Sequence, residues 1–281
     1  MRPKKPTNPN FKCFLAIIFI GLLLFSCAKN PFTGGRTLAL VPNCELFPTA
    51  FAQYGTFLKE NKVIKGSKEA LMVTHVGEKI RHAAERWLQA KGFTDYLKDY
   101  NWEYNLVENK EINAWCMPGG KIVVYTGILP ITLDEAGLAT VLSHEVSHAL
   151  ANHGQQRMSA GVLQQAGVAG VAILTGDKSA QTQQLAMAAY AGFTQYGLIL
   201  PFSRSHESEA DRIGLNLMAI AGYNPEKAVV FWQRMAKQSD GNKPPEILST
   251  HPSDETRIGQ LQELIPVAKA EAAKFGVTFS K

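Results

Sequence analysis

Apolar and polar residues recur along this chain in two different periods. From Glu69 to Ala90, apolar side chains return at three- and four-residue steps, which predicts an amphipathic helix. From Trp102 to Leu106 apolar and polar residues alternate, and a second strand pattern, Lys121 to Thr126, follows a Pro-Gly-Gly turn. These patterns predict a small antiparallel sheet among helices, and therefore a mainly helical α+β fold.

Further helices are predicted in the second half of the chain. Thr132 to Glu135 fits a capping box that would begin a helix running through His148. Asn224-Pro225 fits a cap followed by a first-turn proline, and Ser253 can cap a last helix that ends near residue 275. No repeat and no second domain are evident, so we expect one domain over residues 51–281.

Residues 161–200 are rich in Ala, Gly, Leu and Val, but several Gln residues and the pair Asp177-Lys178 interrupt them. A membrane hairpin would need longer uninterrupted apolar runs. The composition therefore favours two buried or lid-like helices.

The first 27 residues have the pattern of an export signal. A basic start precedes the apolar run Phe14 to Phe25, which is short for a bilayer span of about 20 residues. Leu24-Phe25-Ser26-Cys27 resembles a bacterial lipobox, although Phe25 stands where a smaller residue is usual. We therefore predict a lipoprotein signal peptide at 1–26 rather than an uncleaved anchor, a lipid on Cys27, and an extended membrane tether at 27–50.

Charge and composition narrow the class of protein. The 281 residues are 46% hydrophobic, which is sufficient for a globular core. The formal net charge is +5, but four basic residues and no acidic ones precede Cys27, which leaves +1 for the rest. Nucleic acid is therefore not an expected partner. The position after Cys27 is Ala28, whereas an aspartate there retains many lipoproteins at the inner membrane. This favours the periplasmic face of the outer membrane in a bacterial cell envelope.

Two of the four cysteines are free to pair. Cys13 lies in the predicted signal and Cys27 at the predicted lipidation site, which leaves Cys44 and Cys116. An oxidising compartment permits a disulfide between them, and two unpaired thiols are equally compatible with the sequence.

His144-Glu145-Val146-Ser147-His148 is an HExxH motif. Two histidines four apart on a helix project from one face, one turn apart, and can hold one Zn²⁺ ion. Chance would produce the motif about 0.01 times in a chain of this composition. His144 and His148 are therefore candidate zinc ligands, and Glu145 is the candidate catalytic base of a metalloendopeptidase.

Catalytic zinc normally takes three protein ligands and keeps one position for water. Glu207 and Asp211 share one face of a predicted second helix, so Glu207 could complete a His₂Glu site while Asp211 accepts the free ring N–H of a liganding histidine. The residues alone do not separate Glu207 from Glu209. His153 is rotated away from the ligand face, which places it at the surface or in contact with a ligand rather than on the metal.

These motifs together resemble the HtpX and CaaX-prenyl-protease family of zinc endopeptidases. Asn30-Pro31-Phe32-Thr33-Gly34-Gly35-Arg36 is similar to the periplasmic lipoprotein branch of that family, the LoiP- and BepA-like proteins, here without tetratricopeptide repeats. The segments that carry the resemblance occur in the family's order: Asn113-Ala114-Trp115, Pro118-Gly119-Gly120, Tyr125-Thr126-Gly127, the HExxH motif, Ser203-Arg204-x-x-Glu207-x-Glu209-Ala210-Asp211, and Thr250-His251-Pro252.

The resemblance implies a gluzincin-like domain in which Glu207 is the third zinc ligand and the small sheet lies beside the HExxH helix. It also implies an edge strand that binds substrate by β-augmentation, with Asn113, Ala114, Gly119 and Gly120. His251 would be a removable fourth ligand that keeps the enzyme latent; a histidine before proline in an ordinary turn is an equal alternative.

The expected activity is cleavage of unfolded, damaged or misassembled cell-envelope proteins. Zinc would activate a water molecule, and Glu145 would take its proton and pass it to the leaving amine. The alternative is a chaperone-like outer-membrane assembly factor with latent peptidase activity. The sequence does not choose the residue that stabilises the oxyanion; the candidates are Arg204, His206, Arg212, His251 and Arg257.

Overall fold

The computed structural model describes residues 27–239, 247, 251 and 255–279 of the 281-residue chain. The predicted signal peptide and the predicted cap Ser253 lie outside these residues. The helices are α1 (Asn43–Glu60), α2 (Lys68–Ala90), the short α3 (Leu129–Thr132), α4 (Glu135–Leu150), α5 (His153–Thr175), α6 (Ala180–Gly192), α7 (Leu200–Ile220), α8 (Glu226–Ala236) and α9 (Glu255–Ala273). The strands are β1 (Cys27–Lys29), β2 (Arg36–Leu38), β3 (Val63–Ile64), β4 (Glu103–Val107), β5 (Ala114–Met117) and β6 (Lys121–Tyr125). The predicted mainly helical α+β fold is confirmed.

The main sheet has four strands in the order β3-β4-β6-β5. The prediction of an antiparallel sheet is wrong for one pair, because β4 runs parallel to β6. The β5–β6 hairpin inserts its second strand next to β4, which leaves β5 at the edge. Gly119 and Gly120 make the hairpin turn with φ of +83° and +89°, a region that favours glycine. Side chains there would also collide with Phe51 and Trp102.

Helix α4, which carries the HExxH motif, lies at the centre of the molecule. Every residue from Gly137 to Leu150 is buried, so this part of the helix has no face exposed to solvent. It begins at Glu135 because the Asp134 side chain accepts a hydrogen bond from the Gly137 N–H. The predicted capping box at Thr132 is therefore wrong by two residues, although the predicted helix is present.

Helix α7 packs directly on α4 at Gly214. A Cβ atom at this position would lie 3.2 Å from the backbone of Ser143 and His144. The absence of a side chain therefore lets the two helices approach until backbone meets backbone. Helix α9 also packs on α7 and brings Arg257 towards α4.

The segment at residues 27–50 is folded onto the domain, so the prediction that it is extended is wrong for the residues described. Strands β1 and β2 pair with each other, and α1 begins at Asn43. Between the two strands Asn30 is 3% exposed, and Phe32, 7% exposed, packs on the ring of Trp87.

Helices α5 and α6 form an exposed hairpin. The prediction that they are helical is confirmed, but they are not buried: α6 buries no residue, and the buried positions of α5 end at Ser159. The length and composition of α5 alone would allow it to cross a bilayer. Cys44 and Cys116 are both free thiols, so no disulfide joins them.

Candidate metal centre

Helices α4 and α7, together with His251 near the start of α9, bring four side chains that could hold a metal close to one another. One donor atom each from His144, His148, Glu207 and His251 lies within 4.8 Å of the others. The two HExxH histidines come from one face of α4, and their Nε2 atoms are 3.1 Å apart. Glu207 on α7 places Oε2 3.3 Å from His144 Nε2 and Oε1 3.3 Å from His148 Nε2.

These separations suit zinc. With Zn–N bonds of about 2.0–2.1 Å, ligand atoms at the corners of a tetrahedron lie about 3.3 Å apart. The separations among His144, His148 and Glu207 are 3.1 to 3.3 Å. Two imidazoles and one carboxylate are also the donor set of many catalytic zinc sites.

His144 is oriented by a buried ion pair behind it. Its Nδ1 lies 2.9 Å from Asp211 Oδ1, and Arg257 holds the Asp211 carboxylate with two hydrogen bonds of 2.7 and 2.8 Å. The Arg257 guanidinium lies 3.7 Å above the Trp232 ring. Because Asp211 accepts a hydrogen bond from the Nδ1–H group, the Nε2 atom of His144 points into the cluster. Asp211 therefore has the partner that the helix spacing predicted.

Charge balance in the metal-free site follows from these contacts. Burial disfavours protonation of His144, but hydrogen bonds to Asp211 and Glu207 outweigh it and raise the pKa of His144 to about 9. Burial likewise opposes the charge of Glu207, but His144 and His251 hold the pKa of this carboxyl well below its ordinary value. Burial, followed by the charge on His144, lowers the pKa of His148, which keeps its ring neutral.

Glu145 is buried beside the cluster. Its Oε1 atom accepts no hydrogen bond from any described residue and lies 3.4 Å from His251 Nε2. A buried carboxylate oxygen without a donor retains its capacity to accept a proton or a hydrogen bond. The position predicted for the base thus has a free acceptor.

His251 lies inside the cluster. Its Nδ1 is 3.2 Å from His144 Nε2 and 2.8 Å from Glu207 Oε2. The ring therefore occupies the side of the cluster that the other three donor groups leave open. Of the two alternatives predicted for His251, the geometry favours the one near the metal position.

His153 and Glu209 make a second set of contacts beside His148, and contact with a ligand is one of the two alternatives that the sequence predicts for His153. His153 is fully buried and its Nδ1 lies 2.8 Å from His148 Nδ1, so the surface alternative predicted for this residue is wrong. Helix α4 ends at Leu150, and Asn152 turns the chain with φ of +56°, which returns His153 towards His148. Glu209 contacts His153 rather than the cluster, which separates it from Glu207.

The other predicted oxyanion candidates lie elsewhere. Arg204 and Arg212 are exposed. His206 is buried against His153 and pairs with Gln156. Of the five candidates, the structure brings His251 and Arg257 to the cluster.

Strand β5 passes beside the HExxH helix. Cys116 and Pro118 line a small cavity together with His148. The Tyr125 N–H donates to the Asn113 carbonyl, and the strand register makes Trp115 the next residue bonded to β6. In an antiparallel ladder the intervening residues point their N–H and C=O groups away from the partner strand. Ala114 and Cys116 therefore direct their backbone polar groups to the outer edge, where the Ala114 N–H donates to Asn113 Oδ1 at 2.9 Å.

Comparison with known proteins gives consistent relatives. The chain is similar to the mitochondrial metalloendopeptidase OMA1 of Schizosaccharomyces pombe, 36% identical over 176 residues that cover 62% of this chain and 50% of that protein. It is 30% identical over 273 residues to the mitochondrial metalloendopeptidase OMA1 of Bos taurus, covering 92% of this chain and 50% of that protein. It is also 36% identical over 165 residues to the beta-barrel assembly-enhancing protease of Yersinia pestis, covering 55% of this chain and 32% of that protein. The chain thus spans half or less of the length of these relatives.

The sequence model of peptidase family M48 matches residues 75–265, which include α4, α7 and the whole four-donor cluster. M48 proteins are metallopeptidases, and their reaction needs a cluster of His and Glu residues that can hold a metal, as the four-donor cluster can. Because this match covers most of the chain, the chain belongs to peptidase family M48.

Proposed function

We propose that this protein is a zinc-dependent endopeptidase that cleaves unfolded, damaged or misassembled proteins of the cell envelope. The observation that carries the proposal is the convergence of His144, His148 and Glu207 around one position. Beside it lies the Oε1 atom of Glu145, which accepts no hydrogen bond from any residue that the structure describes. In this proposal the first three residues hold one zinc ion and Glu145 is the catalytic base.

When bound, zinc would lower the pKa of a water molecule and polarise the scissile carbonyl. Glu145 takes the proton from the attacking water and delivers it to the leaving amine. Asp211 keeps the Nδ1 proton on His144, so that its Nε2 remains a ligand. Arg257 keeps Asp211 ionised and in place.

The test is casein cleavage by the purified protein with bound zinc quantified for each variant. Glu145→Gln is expected to retain zinc and lose at least about 10²-fold in rate, the scale of general acid–base catalysis. Glu135→Gln is the matched control, because Glu135 begins the same helix but bonds Tyr223 away from the cluster. Undiminished cleavage by Glu145→Gln would overturn the proposed base.

The position of His251 supports a second candidate function, an outer-membrane assembly factor whose peptidase activity is latent. His251 contacts His144 and Glu207, and in this candidate function its ring takes the position that a substrate carbonyl would need. The Yersinia relative is named as a beta-barrel assembly-enhancing protease, which agrees with this candidate. Faster casein cleavage by His251→Ala than by wild type would support latency. Slower cleavage at equal zinc content would show that His251 assists the reaction.

Substrate is proposed to bind as an added strand along β5, with the turn at Gly119 and Gly120 shaping its end and Asn113 its beginning. The outward backbone groups of Ala114 and Cys116 repeat every second residue. Peptides N-methylated at alternate residues are therefore expected to be cleaved well in one register and poorly in the register shifted by one. Equal cleavage in both registers would argue against β-augmentation.

We further propose that Cys27 carries a lipid and anchors the protein at the periplasmic face of the outer membrane. The lipobox pattern before Cys27 supports this placement. Cys27→Ser is expected to move the protein from the membrane fraction to the soluble fraction. Continued membrane association of that variant would contradict the lipid anchor.

A further inference from the structure

A chain of hydrogen-bonding groups connects the N-terminal segment to His148. Asn30 Nδ2 donates to Glu209 Oε1 at 3.0 Å, and Glu209 Oε2 lies 2.8 Å from His153 Nε2. His153 Nδ1 in turn lies 2.8 Å from His148 Nδ1. These contacts join residues that lie 179 positions apart in the sequence, at Asn30 and Glu209.

We propose that Asn30, Glu209 and His153 act as positioning residues that hold His148 in the one tautomer able to bind the metal. The segment after Cys27 is then part of the metal site rather than only a connection to it. The inference rests on the proposed zinc ligation by His148.

The proton positions follow from the chemistry of the groups. A carboxylate only accepts hydrogen bonds, so the His153 nitrogen facing Glu209 must carry the ring proton. A neutral His153 then has only a lone pair on Nδ1, and the contact with His148 requires that the proton between them belongs to His148 Nδ1. His148 Nε2 is left with its lone pair, and this atom faces His144 and Glu207.

Packing holds the middle of the chain in one orientation. The His153 ring is fully buried and stacks on the His206 ring, with centroids 3.9 Å apart and planes 9° from parallel. His206 is itself fixed by its contact with Gln156. Rotation of His153 that exchanged its two nitrogens would therefore break both the stacked pair and the contact with Glu209.

The N-terminal end of the chain is equally well fixed. Asn30 Oδ1 accepts hydrogen bonds from the N–H groups of Phe32 and Thr33, and the Asn30 backbone bonds Gly34 and Gly35. Phe32 packs between the rings of Trp87 and Tyr96. This closed turn directs Asn30 Nδ2 towards Glu209.

The experiment compares two variants of the full chain, purified in detergent, with wild type. Glu209→Gln keeps the shape of the side chain but replaces one of the two acceptor oxygens with a donor. Asn30→Asp keeps the Oδ1 acceptor that closes the turn but places a second carboxylate against Glu209. Glu85→Gln is the matched control, because Glu85 pairs with His82 at 3.0 Å on the exposed face of α2, away from the cluster.

Two quantities are measured. The first is zinc affinity by competition with a chelator, and the second is the tautomer of His148 by ¹⁵N NMR of histidine-labelled, metal-free protein, with His148 assigned from His148→Gln. We expect both variants to weaken zinc binding about 10–100-fold, the usual effect of removing an outer hydrogen-bond partner of a metal ligand. We also expect His148 to change from the single Nδ1-protonated form to a mixture. The control is expected to match wild type in both.

Zinc affinity within about twofold of wild type for both variants, or an unchanged single tautomer in Glu209→Gln, would overturn the inference while the proposed peptidase stands. Failure of wild type to bind zinc would overturn the proposed function, and the inference as a statement about a metal site would fail with it. If Glu209→Gln does not fold, Asn30→Asp decides the outcome, because it conserves the turn.

Discussion

Replacement of Gly214 by alanine tests whether the close contact between α4 and α7 sets the geometry of the metal centre. The new Cβ atom would lie 3.2 Å from backbone atoms of Ser143 and His144, which cannot rotate away as a side chain would. Accommodation therefore requires the two helices to separate by a few tenths of an ångström. His144 and His148 lie on one of these helices and Glu207 on the other.

The expected change in the free energy of unfolding is the difference between a gain in helix stability and a cost of overpacking. Gly→Ala inside a helix stabilises by about 0.8–1.0 kcal/mol, whereas overpacking costs about 1–3 kcal/mol, so Gly214→Ala should lose between about 0 and 2 kcal/mol. Gly259→Ala on α9 is the matched control, since no atom of the described residues outside its own helix turn lies within 4 Å of the added Cβ. The control should gain the helix term alone, and about 2–4 °C in Tm per kcal/mol is expected for a domain of this size.

Zinc affinity separates a change in geometry from a change in stability. Metal–ligand distances tolerate only about 0.2 Å, so separating the helices should weaken zinc binding by Gly214→Ala but not by Gly259→Ala. Thermal unfolding of the metal-free proteins and chelator competition would provide both numbers. If Gly214→Ala matches Gly259→Ala in Tm and in zinc affinity, the contact does not control the site and the reasoning is refuted.

Three further predictions concern the surroundings of the site and of the sheet. Asp211→Asn should destabilise the protein by about 3–5 kcal/mol, because the buried Arg257 guanidinium loses the charged acceptor of its two hydrogen bonds of 2.7 and 2.8 Å. Urea unfolding that shows a loss below about 1 kcal/mol would contradict this. Zinc affinity should fall about tenfold per pH unit below about pH 9, since His144 is protonated in the metal-free protein below its pKa of about 9 and must lose that proton to bind zinc. Calorimetric zinc titration at pH 7 in buffers of different ionisation enthalpy should show proton release, and zero release would exclude a protonated His144. Tyr54→Phe should cost about 1–3 kcal/mol, because the buried hydroxyl donates to the Ile122 carbonyl at 2.9 Å and accepts from Asn105 at 3.0 Å; an unchanged denaturation midpoint would count against that.

Features that depend on neighbours in the sequence could be predicted, and features that depend on distant pairing could not. The HExxH histidines share a face because helix geometry alone brings residues four apart together. Glu207 and Glu209 could not be separated in this way, since the answer depends on how α7 is rotated against α4. Two residues apart on a helix means about 200° of rotation, so one carboxylate faces the cluster and the other faces His153.

The wrong predictions have similar causes. The parallel pairing of β4 with β6 depends on which hairpin strand enters the sheet, and alternation of apolar residues is the same in both cases. The tether was predicted to be extended because its Pro and Gly residues indicate turns, but nothing local shows that Asn30 has a partner on α7. For His153 only the surface alternative is wrong: it assumes that the helix continues, whereas Asn152 in the left-handed region ends the helix and brings His153 into contact with His148.

The turn at Asn30 has a consequence for which proteins could reach the site. Only two residues, Ala28 and Lys29, lie between Cys27 and Asn30, and the three steps of chain from Cys27 to Asn30 span about 10 Å at full extension. With a lipid on Cys27, as proposed, the metal centre could not move far from the bilayer surface, because its own ligand His148 is joined to the end of that short span. The lipid anchor would then limit the distance from the membrane at which a substrate can be cleaved. Selection among envelope proteins would depend first on how near the membrane their unfolded segments lie, and only then on the side chains of the substrate.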